Sequence, residues 1–187
     1  MHRQTKLIAK LKPIAIALSA LLISKAAFAK TTIIHAGELL TDANKSPVKK
    51  HSIVIEDGKI VDVKKGYIKA SSLGDDAELV DMTDKFVLPG MMDMHVHLQG
   101  ELGPRNDSEK LRYSDADNVV RSAHFAKKTL MAGFTTVRDL GASAEEIFAL
   151  RDGINRGWVD GPRIIAAGSS VAVTGGHGDV DGMNPEL

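Results

Sequence analysis

The sequence predicts an α/β fold preceded by a small β-rich segment, and three observations predict it. Residues 30–89 carry short β-branched runs around an Asp57-Gly58 turn. After Pro89-Gly90 the rhythm changes to strand–helix–strand–helix–strand, which implies parallel strands joined by crossover helices. The first strand-to-helix connection has no glycine-rich phosphate signature, which weakens a dinucleotide-binding doubly wound sheet against an eightfold barrel.

Residues 1–29 stand outside that fold. They hold Arg3, Lys6, Lys10, Lys12 and Lys25 and no acid, then an apolar run over 13–24, then Ala27-Phe28-Ala29. That order is the secretory signal pattern. The run is shorter than the roughly 20 residues a spanning helix needs, so no stable membrane anchor is expected. Five of the 24 basic residues lie in this segment, leaving 19 against 24 acids in the remainder. A mildly acidic body gives no reason to expect nucleic acid as partner. The chain has no cysteine, which excludes disulfides, thiolate metal sites and cysteine nucleophiles. A periplasmic or secreted location is the expectation.

Within 30–89, Thr31–His35 reads as a short strand, and Ser52–Glu56 and Lys59–Val63 flank Asp57-Gly58, a pair suited to a tight hairpin. Ala77–Asp81 and Lys85–Leu88 read as two further strands. In 90–187, Met91–Leu98 reads as a buried strand. A helix follows with Val119, Val120, Ala123, Ala126 and Leu130 on one face, stopped by Gly133. Phe134–Leu140 is the next strand. Ser143 and Glu146 have capping-box spacing for a second helix that turns Ile147, Leu150 and Ile154 inward and ends at Gly157. Pro162–Ala167 opens a third strand. The long polar loop between Gln99 and Asp117 would lie, in a barrel, over the C-terminal face where chemistry sits.

His95 and His97 are the chemical centre of this reading. On a strand, residues i and i+2 point to one side, so the two imidazoles project together. On a helix they would diverge by about 200° and could not share one ion. Two imidazoles at the end of a buried apolar strand need partners, and a divalent cation supplies one. Hydrogen-bonded histidines near a loop are the plainer alternative. Zinc suits imidazole first, with iron, nickel, manganese and cobalt open.

The stretch Leu88-Pro89-Gly90-Met91-Met92-Asp93-Met94-His95-Val96-His97-Leu98 resembles the first-strand signature of the amidohydrolase superfamily. Gly133–Gly141, Gly161–Gly168 and Thr174–Asp179 are similar to the imidazolonepropionase-like branch that includes Xaa-Pro dipeptidases. The resemblance implies the N-terminal part of a distorted (β/α)8 barrel flanked by a small β-sandwich built from both ends of the chain. It implies His95 and His97 as ligands of the more buried metal, with metal-activated water attacking an amide or peptide bond of a dipeptide or similar small substrate. A cyclic-amide hydrolase, a ring deaminase or a non-catalytic remnant are the rivals. The family's bridging lysine or glutamate, two later histidines and late aspartate have no place here. The 97 residues from Met91 to Leu187 fall well short of a full barrel of about 250, so the chain is expected to be an incomplete piece that is inactive alone. It would be completed by a missing C-terminal half, or act within a homo-oligomer.

The remaining residues divide by what they could touch. His177, beside Gly175, Gly176 and Gly178, is implied by the resemblance as a substrate-contacting group, against a turn histidine. Arg138 and Asp139 could pair as buried structural ions or orient ligands, and only one of them can point inward. Asp93 shares the expected facing of His95 and His97 but lies toward the barrel bottom and reads as structural. Arg105 and Tyr113 are expected as solvated loop residues ahead of a substrate-carboxylate role. His124 lies within a helix and is expected to serve its surface or its packing, and His35 and His51 receive no role.

Overall fold

The computed structural model describes residues 30–101, 103–104, 108–109, 112–174 and 176. Residues 1–29, Arg105 and His177 lie outside the described residues. The chain divides between Pro89 and Gly90 into two units.

The first unit is a four-stranded sheet of β1 (Thr31–Leu39), β2 (Val48–Glu56), β3 (Lys59–Lys65) and β4 (Glu78–Val87), in the order β3-β2-β1-β4. Asp57 and Gly58 take φ of 48° and 74°, the left-handed geometry a two-residue β2–β3 turn needs. β1 pairs antiparallel with β2 and parallel with β4. The two short strands expected over 77–88 are one strand, and that expectation is corrected. Between Ala36 and Glu38 of β1 the partner in β4 jumps from Met82 to Phe86, so Thr83, Asp84 and Lys85 bulge out of the ladder. Their polar side chains read as a break in the sequence because they lie in that bulge. Gly37 permits it, since a Cβ there would stand 2.2 Å from the carbonyl oxygen of Thr83. Ile33, Ala36, Leu39, Ile53 and Val54 are buried, whereas Ile60 on β3 is 66% exposed. Ser52 is buried with its bonds satisfied: its hydroxyl donates to Gly66 O at 2.8 Å and accepts from Ile68 N at 3.0 Å.

The second unit alternates β5 (Met91–Val96), α1 (Asp115–Met131), β6 (Phe134–Asp139), α2 (Ala144–Asn155) and β7 (Arg163–Ala166). The strands are parallel in the order β5-β6-β7, as the alternation predicts. Leu98, Ala126, Val137, Ala142, Ile147, Leu150 and Ile164 form the core between sheet and helices. On α1 the inward face is shifted from the expected one. Val120 is 72% exposed and Ser122 is buried instead, tolerated because its hydroxyl donates to Asn118 O at 2.7 Å. Ser114 caps α1 in a reciprocal box with Asp117. The box expected from Ser143 and Glu146 does not form; Ser143 makes no side-chain cap bond and Glu146 turns elsewhere.

β5 is also not the buried strand the sequence suggested. Among the described residues it is hydrogen-bonded on one side only, to β6, and helices cover one face of the sheet. Met92 is consequently 68% exposed and His95 and His97 are exposed.

Candidate metal centre

The end of β5 is where the sequence-predicted ligands come together. Val96 and Leu98 pack against the helix-side core, so His95 and His97, alternating with them, project from the opposite face. Their ring centres are 5.4 Å apart with planes at 72°. Because both rings are exposed, burial does not compel a metal partner, contrary to the sequence expectation. Geometry carries the case instead. A zinc–nitrogen bond of about 2.1 Å places each ring centre about 3.2 Å from the ion, which gives about 5.2 Å between centres at a tetrahedral angle. The observed spacing fits two imidazoles on one ion.

The chemistry of His97 fits as well. Its Nδ1 lies 2.8 Å from Gly141 O, and a carbonyl only accepts, so Nδ1 is the donor, and in the neutral imidazole Nε2 then keeps its lone pair. Such a bond from the far nitrogen is the usual companion of a metal-ligating histidine. Among the described residues no group of three or more His, Asp or Glu side chains is placed to hold an ion. The pair is therefore the whole of the ligand set visible in these residues.

Asp93 is turned to the backbone, its Oδ1 accepting His95 N at 3.0 Å. The register slips between Asp93 and Val96, which interrupts the strict alternation on which a shared facing with His95 would rest. Of Arg138 and Asp139, the aspartate points inward, 1% exposed, while Arg138 is exposed. Asp139 is not ion-paired with its neighbour; it accepts Leu98 N at 2.8 Å and Gly141 N at 3.2 Å. Tyr113 lies beneath the Arg121 guanidinium, 4.4 Å from its ring centre, a packing role. His124 is exposed on α1 with its ring edge against Phe125. In the first unit, His35 stacks on Tyr67 and bonds Ile68 O, while His51 bonds Lys49 O.

Sequence reasoning missed a polar cluster beside this strand end. Gln99 donates to Glu146, Asn118 donates to Glu146 Oε1 at 3.2 Å, and Gln99 Oε1 accepts Ser143 N at 3.3 Å. Glu146 is only 4% exposed, and desolvation pushes its carboxyl above the usual range; the bond from Asn118 opposes that shift and the charge of Asp115 adds to it. The spacing of Glu146 from Ser143 invited a capping reading, and nothing local in the sequence signalled that Gln99 would claim it.

Residues 86–185, which carry this parallel β/α sheet and the paired imidazoles at the end of its first strand, match the Amidohydrolase family; the chain belongs to it. Members of that superfamily generally depend on divalent metal. The chain is similar to a Xaa-Pro dipeptidase crystallised with methionine in its active site, at 39% identity and a TM-score of 0.72, covering 80% of this chain and 36% of that one. It is 30% identical over 159 residues to the ochratoxinase of Aspergillus niger, covering 81% of this chain and 31% of the relative. Molinate hydrolase shares 26% identity at a TM-score of 0.65, over 75% of this chain and 30% of that one. The chain thus spans about a third of the length of these relatives.

Proposed function

We propose that this chain carries the first two metal ligands of an amidohydrolase that cleaves an amide bond in a dipeptide or similar small substrate. The observation that carries the reading is the His95–His97 pair, spaced for one ion, with His97 Nδ1 held by Gly141 O so that Nε2 is presented. A divalent ion bound there, zinc by preference for imidazole, would polarise the scissile carbonyl and lower the pKa of bound water. His95 and His97 would hold that ion, and the Gly141 carbonyl would keep the His97 ring in its tautomer. The dipeptide class is supported by the 39% identity to a Xaa-Pro dipeptidase.

A second reading keeps the family and changes the substrate to a cyclic amide or a ring amine. It is supported by similarity to a dihydroorotase of Trichlorobacter lovleyi, 45% identical over 47 residues, covering 25% of this chain and 10% of the relative. It is also supported by an adenine deaminase of Methanococcoides burtonii, 36% identical over 74 residues, covering 39% of this chain and 12% of the relative. These shorter matches favour it less. The barrel and sandwich implied by the sequence resemblance, export through residues 1–29 and substrate contact by His177 belong to the same proposal.

The test is metal content by elemental analysis on the purified chain beside the His95→Ala/His97→Ala double variant. The expectation is bound metal in the parent that the variant lacks; equal background metal in both would overturn a site preformed on this chain and leave the two histidines as ligands only in a completed barrel. Hydrolysis of Xaa-Pro dipeptides against cyclic amides and aminopurines, by a protein containing these residues, separates the two substrate classes.

A further inference from the structure

We infer that Asp139 is a positioning residue for His97, acting through two backbone amides. Its buried carboxylate spans the gap between the end of β5 and the turn after β6: Oδ2 accepts Leu98 N at 2.8 Å and Oδ1 accepts Gly141 N at 3.2 Å. Those two amides bracket the imidazole. Leu98 is the residue that follows His97, and Gly141 is the residue whose carbonyl takes the His97 Nδ1 proton at 2.8 Å. One carboxylate therefore holds both the backbone that carries the ring and the backbone that orients it.

The location explains why a carboxylate is used. Main-chain pairing between β5 and β6 runs out at this point: the last ladder pair is Val96 with Asp139, followed by a bond of 3.3 Å from Leu140 N to Val96 O. Beyond it, an acceptor must come from a side chain, or the Leu98 and Gly141 amides lose a partner near the buried core. Asp139 is 1% exposed, and its oxygens are satisfied there by the two backbone amides. Gly141 leaves room for the approach: a Cβ there would stand 2.5 Å from Ser170 Oγ and 3.6 Å from His97 Cε1. Without the carboxylate, the strand end and the turn lose the side chain that bonds both, and the Gly141 carbonyl is held less firmly against the ring whose tautomer it selects.

This role rests on the reading of His97 as a metal ligand, but part of its test does not. The full chain labelled with 15N-histidine, its His97 signal assigned by loss in His97→Gln, is compared with Asp139→Asn and with the smaller Asp139→Ser. With imidazole neutral and no metal added, the parent is expected to show His97 protonated at Nδ1. Both variants are expected to show a mixture of tautomers. Affinity for zinc alone, measured in parallel, is expected to fall about 10- to 100-fold in the variants, the usual effect of removing a group that orients a ligand. Ile164→Val, which trims the same core on β7, is expected to lower stability and leave tautomer and affinity unchanged. Parent His97 protonated at Nε2, or variants that retain the Nδ1 form and the parent's affinity, would overturn the assignment. If the parent shows the Nδ1 form and the variants lose it, but the parent binds no zinc, the positioning stands and the metal reading falls.

Discussion

The two units solve the problem of burying a sheet differently. In residues 31–87 four strands are joined largely by neighbouring pairing, one buried cluster gathers Ala36, Leu39 and Ile53 with partly covered neighbours, and Ile33 and Val54 are buried besides. In residues 91–166 three strands are separated by helices, and α1 and α2 give one sheet face a core that runs from Leu98 to Ile164. A helix brings its own apolar stripe to the sheet it crosses, whereas a hairpin adds another strand with the same need for cover. The consequence for function is positional. Helices fix one face of the second sheet, and the candidate ligands project from the face the helices leave free. Rigidity is supplied from one side and chemistry offered on the other.

The largest expected effect follows from that contrast. Leu150, 2% exposed on α2, is part of the core that holds β5 to β7 in place. Leu150→Ala should cost about 2–5 kcal/mol, the range for a deleted buried side chain that leaves a cavity. Ile60→Ala removes similar apolar volume from β3, where the side chain is 66% exposed, and should stay within about 0.5 kcal/mol. Urea midpoints of both variants against the parent check the pair. Equal losses would mean that β3 is covered in solution.

Much of this architecture is legible in the sequence because its signals are local. The Asp57-Gly58 turn, the β/α alternation and the i, i+2 spacing of His95 and His97 each depend on adjacent residues and backbone periodicity. What was not legible depends on partners distant in sequence. Thr83-Asp84-Lys85 reads as a gap between strands until Gly37 is seen to admit the bulge. Ser143 and Glu146 have capping-box spacing, but Gln99 and Asn118 compete for the carboxylate from 47 and 28 residues away. Asp139 could be assigned to one side of its strand by alternation, yet its two amide partners follow from how β5 ends. Exposure of β5 was missed for another reason: an apolar run shows that a strand can be buried, not what covers it.

The two helix starts sharpen the comparison at smaller scale. Ser114 accepts Asp117 N and is bonded in turn by the Asp117 carboxylate, so Ser114→Ala should cost about 0.5–2 kcal/mol. Ser143 occupies the corresponding place on α2 without a side-chain cap bond, and Ser143→Ala should change stability by less than about 0.5 kcal/mol. Thermal or urea unfolding of the two variants decides whether the hydroxyls differ as their bonds do. A comparable loss at Ser143 would mean that α2 is capped through that hydroxyl in solution.

The acids at the third position of each helix give the subtlest prediction, because they depend on pH with opposite sign. Hydrogen bonds from Ser114 hold the Asp117 carboxyl below its ordinary value. Its contribution is therefore present above the unfolded aspartate pKa and is lost as pH falls through the depressed folded value. Desolvation holds Glu146 above its ordinary value. The folded state then binds its proton more tightly than the unfolded one, so its contribution is complete below the unfolded glutamate pKa and is lost as pH rises through the raised folded value. Relative to the parent, Glu146→Gln should gain stability as pH increases across that window, and Asp117→Asn should gain as pH decreases below the ordinary aspartate range. Urea unfolding of each variant and the parent across pH reads the difference directly. A parent-minus-variant difference at Glu146 that does not change with pH would mean that ionisation there is compensated in full by Gln99 and Asn118, and that the buried carboxylate costs the fold nothing.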